Sequence, residues 1–142
     1  MLARLVAALT AGVIAWILPI LMGVYVFLLG PGVDAAGKPD NDPYRAAAFL
    51  LILSPAFVLL LGAYFYAVST LLSRFWRVGF LPLLLPNTLV SVVLGIAFYR
   101  QGLEIGGVPD AIQSFVIFGG FTLVCLVAGS AFLAWRASRA AV

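Results

Sequence analysis

Residues 46–72 read AAAFLLILSPAFVLLLGAYFYAVSTLL, 27 positions without one charged side chain. About 20 apolar residues in helical form cross a hydrocarbon core about 30 Å thick, so this run is long enough to span a bilayer. A backbone in lipid must satisfy its own hydrogen bonds, which leaves a helix or a strand of a closed barrel. A barrel strand alternates apolar and polar residues, and this run is continuously apolar, so it reads as a helix. Working outward, three more charge-free runs appear, residues 5–29, 79–99 and 111–135, of 25, 21 and 25 residues. The expected fold is therefore an all-α membrane protein, a four-transmembrane-helix bundle forming a single domain over residues 1–142.

The composition agrees. Hydrophobic residues make up 65% of the chain, charged residues 9%, and mean hydropathy is +1.20, whereas about a quarter of a soluble domain is charged. The eight basic residues outnumber the five acidic ones, giving +3. They are scattered along the chain and form no phosphate-binding stripe, so no nucleic-acid partner is expected. The sequence has no histidine and one cysteine, Cys125, inside an apolar run. Imidazole-ligated haem, the commoner zinc and copper sites and an intramolecular disulfide are thereby excluded, and no metal or cofactor is expected.

The first run follows Arg4, with Val33 and Ala35 imitating the small residues of a cleavage site. A signal h-region is about 7–15 residues long, so the 25 apolar residues here are read as a retained span. The connections cover residues 30–45, 73–78 and 100–110, too short for a soluble domain. Asp42 before Pro43 predicts a helix start, Asp110 with Gln113 resembles a capping box, and Gly106, Gly107 and Pro109 are expected to shape the third loop. With the N-terminus inside, Arg4, Arg74, Arg77, Arg136 and Arg139 are cytoplasmic. The other side then carries Lys38, Arg45 and Arg100 with all five acids, Asp34, Asp40, Asp42, Glu104 and Asp110. The positive-inside rule favours this N-in/C-in arrangement by five to three and points to a bacterial inner membrane. Phe75, Trp76, Trp135 and Tyr99 fall where interfacial rings prefer to sit. Asp40, Asn41 and Asp42 are read as solvated turn residues, because a calcium site needs six or more ordered oxygen ligands.

The most unusual local pattern is Pro82 and Pro86 followed by Asn87 and Thr88. Each proline removes a donor and disfavours helix in the residue before it, which predicts a bend or a break near Pro86. At about 1.5 Å per residue from Gly79, Asn87 lies about 12 Å below the cytoplasmic surface. A helix restarting there points amide donors into the membrane, as in some transporters that hold anions; a simple kink leaves Asn87 to bond a neighbouring helix. Tyr64 lies eight residues from Leu72, at the depth of Asn87, so the two are expected to share a hydrogen bond or a small ligand. Tyr64, Pro86, Asn87, Thr88 and Ser91 are thus the candidate ligand or partner contacts. Asn87, Ser91 and Gly95 fall at i, i+4 and i+8 on one helix face; Thr122, Cys125 and Gly129 share a face of the fourth helix, and Ala7, Ala11 and Ala15 of the first. Gly95, Thr122, Cys125 and Gly129 are read as helix-packing positions, since small residues let helices approach closely. Pro19 and the Ser54–Pro55 pair predict further bends.

No acid or base lies within a span, and proton-coupled transporters depend on such groups. No nucleophile has a visible base partner, so no catalytic residue is assigned and a non-enzymatic role is expected. The leading reading is a module that binds another membrane protein, as a subunit, an assembly factor or an immunity protein against a membrane-acting toxin. The alternative is an oligomeric channel or facilitator for a small solute or anion, with a broken third helix at Pro86 lining its path. The partners expected are the lipid bilayer and either another membrane protein or a second copy of the chain.

Overall fold

The computed structural model describes residues 2–30, 32–33, 39–40, 42–75 and 79–139. The expectations placed on Asp34, Ala35, Lys38, Asn41, Trp76 and Arg77, and on the side chains of Val33, Asp40 and Asp42, lie outside the described residues. Four long helices form: α1 (Leu2–Leu29), α2 (Asp42–Phe75), α3 (Phe80–Gly106) and α4 (Val108–Arg139). Each is long and apolar enough to cross a membrane, and the chain is a multi-pass membrane protein. Between α1 and α2, β1 (Gly32–Val33) pairs antiparallel with β2 (Pro39–Asp40), with Gly32 opposite Asp40 and Val33 opposite Pro39.

The helices outrun the charge-free runs at most ends. Residues 100–110, read as a loop, are helical except for Gly107, whose φ of 78° is a left-handed value that favours glycine. Nor does Asp110 form the expected capping box with Gln113. Gly107 occupies the cap without a side-chain bond, and Asp110 falls in the first turn of α4. Its carboxylate sits over Gly106, where a Cβ would collide with it. The reason is geometric: charged residues end the hydrocarbon stretch, but a helix continues through the headgroup layer to about 40–45 Å in all.

The break expected near Pro86 is absent. Helix α3 runs uninterrupted from Phe80 to Gly106 with Pro86 inside it, and Pro19 and Pro55 lie inside α1 and α2 in the same way. A proline costs its own amide bond, but the helix closes on both sides of it, and α3 continues for twenty residues beyond Pro86. No helix restarts at Asn87, so no set of free amide donors points into the membrane there.

In cross-section the helices run α2, α1, α4, α3. Helix α1 packs against both α2 and α4, α3 packs against α4, and α2 and α3 touch little. The α1–α2 seam is closed by small residues: a Cβ on Gly12 would lie 2.7 Å from Val58 O and 2.8 Å from Gly62 N. The α1–α4 seam closes at Gly129, whose missing side chain leaves room for the Phe65 ring and the Ala11 carbonyl. Around these seams lies the core, Ala7, Ala8, Ala11, Ala15, Phe65, Leu83, Leu126 and Leu133. All of it sits in the half of the bundle that holds the chain ends. In the other half, residues 108–119 pack against α3, with at most marginal contact to α1 and α2. The two hairpins therefore meet at one end and diverge toward the other.

Candidate functional site

Where the hairpins meet, one polar cluster crosses the apolar core. Asn87 is fully buried on α3 and Ser130 fully buried on α4. Tyr64 Oη on α2 donates to Asn87 Oδ1 at 2.8 Å, and Asn87 Nδ2 donates to Ser130 Oγ at 2.7 Å and to Leu126 O at 3.3 Å. Both amide hydrogens and one oxygen lone pair of the side chain are thus used. The Leu126 carbonyl fixes the amide orientation, because a flipped amide sets two acceptors against each other. Below it, Ser91 Oγ donates to Asn87 O at 2.8 Å. This cluster joins α2, α3 and α4, and the Tyr64–Asn87 bond bridges the one pair of neighbouring helices that otherwise barely touch.

The expected packing stripe on α3 is present: Asn87, Ser91 and Gly95 are all buried. A Cβ on Gly95 would lie 2.9 Å from the Phe115 ring, and one on Gly119 3.2 Å from Ser91 O. Cys125 and Gly129 are buried on α4, while Thr122 is half-buried and donates to its own helix at Phe118 O, 2.7 Å. Thr88 is exposed and donates to Leu84 O at 2.9 Å, and Pro86 is half-buried. Of the five candidate contacts, Tyr64, Asn87 and Ser91 are brought together; Thr88 and Pro86 are not part of the cluster.

Three features escaped the sequence reading. Trp16 Nε1 donates to Ser54 Oγ at 3.0 Å while Ser54 donates to Leu50 O, and Trp16 stacks on Phe57 at 4.5 Å. The only signal was a serine beside a proline at mid-span, and it was read as a bend. Second, Phe65 fills the bundle centre with no exposed surface. Third, α4 contains a π turn, Phe115–Gly119. Residues spaced by four overshoot one face of a 3.6-residue helix by about 40° per step, and a wider turn pulls them back. That correction keeps Ala111, Phe115 and Gly119 all directed at α3.

Chemically the cluster is neutral. It has hydrogen-bonding groups and no acid, base or cation, and among the described residues no group of His, Cys, Asp or Glu is arranged to hold a metal. Its hydroxyls and amide are engaged internally; Thr70 Oγ1, nearer the α2–α3 turn, is the one buried side-chain oxygen without a partner among the described residues. Such a node sets helix register and resists separation of the hairpins. Compared with known protein families, characterised proteins and solved structures, the chain matches none.

Proposed function

We propose that the chain is a non-enzymatic binding module for another membrane protein, a subunit or assembly factor of a membrane complex or an immunity protein against a membrane-acting toxin. It sits in the bacterial inner membrane with both ends cytoplasmic, and its proline-bearing helices bend to shape the bundle. The observation that carries the reading is the outer face of α2. Phe49, Ile52, Ala56, Leu59 and Ala63 are exposed at alternating spacings of three and four, the pattern of a helix–helix seam. Ala56, Ala63 and Ala67 put small side chains on that face, and small residues are what membrane helices use for close approach. The buried polar groups bond one another within the bundle, and α3 is continuous at Pro86.

Site-specific photo-crosslinking in intact membranes tests this. Crosslinker at Ala56, Ala63 or Ala67 should join the chain to one protein species, and crosslinker at Ile17 or Leu89, exposed on other helices, should not. Crosslinks spread evenly over all four helices, or a purified homo-oligomer that passes ions in liposomes, would refute it.

A further inference from the structure

The seam between α1 and α4 has a definite register. A Cβ on Gly129 of α4 would lie 2.8 Å from the Ala11 carbonyl of α1, so these two positions face each other at close approach. The helices run antiparallel, and one turn nearer the chain ends Ala7 and Ala8 are buried in the same core cluster as Leu133. Arg4 stands seven residues before Ala11, and Arg136 seven residues after Gly129. Seven residues make two turns to within about 20°, so each arginine lies on the face that carries its own helix's contact point. The two therefore stand at one level on the faces that meet. Arg136 is half-buried there and Arg4 is exposed.

No acidic side chain is at hand to separate the pair, since the five acids of the sequence fall within residues 34–42 and 104–110, toward the other end of the bundle. Arg4 also lies in the first turn of α1, which carries no acid and where the helix dipole is positive and disfavours a cation. Arg139, three residues beyond Arg136, adds to the positive charge and is held over the Trp135 ring at 4.5 Å. In depth the two positions agree: Arg4 immediately precedes the first charge-free run, and Arg136 immediately follows the fourth. Both thus flank the hydrocarbon at the level of lipid phosphates, with the exposed Trp135 beside them as an interfacial ring.

We propose that Arg4 and Arg136 together bind the phosphate of one anionic phospholipid in the leaflet at the chain-end side of the bundle. A phosphate between two guanidinium groups accepts charge-assisted N–H bonds from both, and so turns a repulsion across the α1–α4 seam into a bridge. Depth selects a lipid over a free anion, because the pair stands at headgroup level and Leu5 and Val6, exposed just below Arg4, offer apolar surface to the acyl chains. The site is separate from the partner face on α2 and does not depend on it.

Native mass spectrometry of the delipidated protein in detergent tests it, with phosphatidylglycerol, phosphatidylcholine and inorganic phosphate as probes. One phosphatidylglycerol should be retained in preference to phosphatidylcholine. Arg4→Gln and Arg136→Gln should each weaken retention about five-fold, the worth of one basic residue at an anionic surface. Arg4→Lys keeps the charge and should hold the lipid better than Arg4→Gln, while Arg100→Gln, at the other end of the bundle, should leave retention unchanged. The thermal midpoint separates lipid binding from a purely structural role. Without lipid, Arg4→Gln should leave the midpoint unchanged or raise it, because a repulsion is relieved, and phosphatidylglycerol should raise the midpoint of the native chain more than that of the variant. Circular dichroism identifies any variant that fails to fold; if Arg136→Gln does, the variant at exposed Arg4 decides. Equal retention of phosphatidylcholine, retention of inorganic phosphate in place of the lipid, unchanged binding by Arg4→Gln, or an equal loss with Arg100→Gln would each overturn the proposal.

Discussion

Asn87 makes three side-chain hydrogen bonds in a site closed to solvent, and its value is best read by removing one partner at a time. Tyr64→Phe deletes one neutral bond and leaves an amide oxygen free, so it should cost about 0.6 kcal/mol, the average for such bonds between membrane helices. Asn87→Leu strands the Tyr64 and Ser130 hydroxyls in the core, and should cost about 1–3 kcal/mol. Thr88→Val, one residue along, removes a hydroxyl that bonds its own helix on an exposed face and should stay within about 0.5 kcal/mol. Reversible unfolding in mixed micelles gives all three values, and a double-mutant cycle between Tyr64→Phe and Asn87→Leu should show that they are not additive. A cost for Thr88→Val equal to that for Asn87→Leu would mean that the cluster contributes nothing particular. The Tyr64–Asn87 pairing was legible in the sequence, since both residues lie eight positions from the same turn. Ser130 was visible as a polar residue at similar depth, but which of several hydroxyls meets the amide depends on rotation about α4, and the apolar pattern does not encode that.

At the level of the helices, glycines in different surroundings should behave in opposite ways. Gly12 lies against the backbone of α2 at Val58 and Gly62, so Gly12→Val must push α1 off α2. Overpacking of this kind should cost about 1–3 kcal/mol and lower the thermal midpoint in detergent. Gly120, just past the π turn, has open space where its Cβ would lie, and Gly120→Ala should leave stability unchanged or raise it by up to about 1 kcal/mol through helix propensity. Gly107 has neither crowding nor freedom, for nothing lies near its missing Cβ but its φ is positive. Gly107→Ala should therefore destabilise the α3–α4 turn by about 1 kcal/mol, a backbone effect alone. Equal losses at Gly12 and Gly120 would contradict the packing described. Helix number and position followed from charge-free runs, but the ends did not. A run measures hydrocarbon, and Arg100, Glu104 and Asp110 remain helical beyond it. The π turn was hidden for a related reason: it exists to hold Phe115 and Gly119 on α3, and that demand comes from the partner helix.

For the molecule as a whole, four spans return the chain to the side on which it began, and the ends share that side with the α2–α3 turn. The charge distribution predicts which side it is. Arg4, Arg74, Arg136 and Arg139 lie at one end of the bundle with no acid among the described residues there, and Arg139 stacks over the Trp135 ring at 4.5 Å. The Gly107 end carries Arg100 with Glu104 and Asp110. Because basic residues resist translocation, the arginine-rich end should remain in the cytoplasm. In a Cys125→Ser background, Ile105→Cys, exposed near the Gly107 turn, should react with a membrane-impermeant maleimide in intact cells whose outer barrier is permeable to the reagent. Ser73→Cys and Ser138→Cys should react only after the inner membrane is opened. Labelling in the reverse order would invert the molecule, placing Arg100 on the cytoplasmic side, while the packing of the four helices would stand as described.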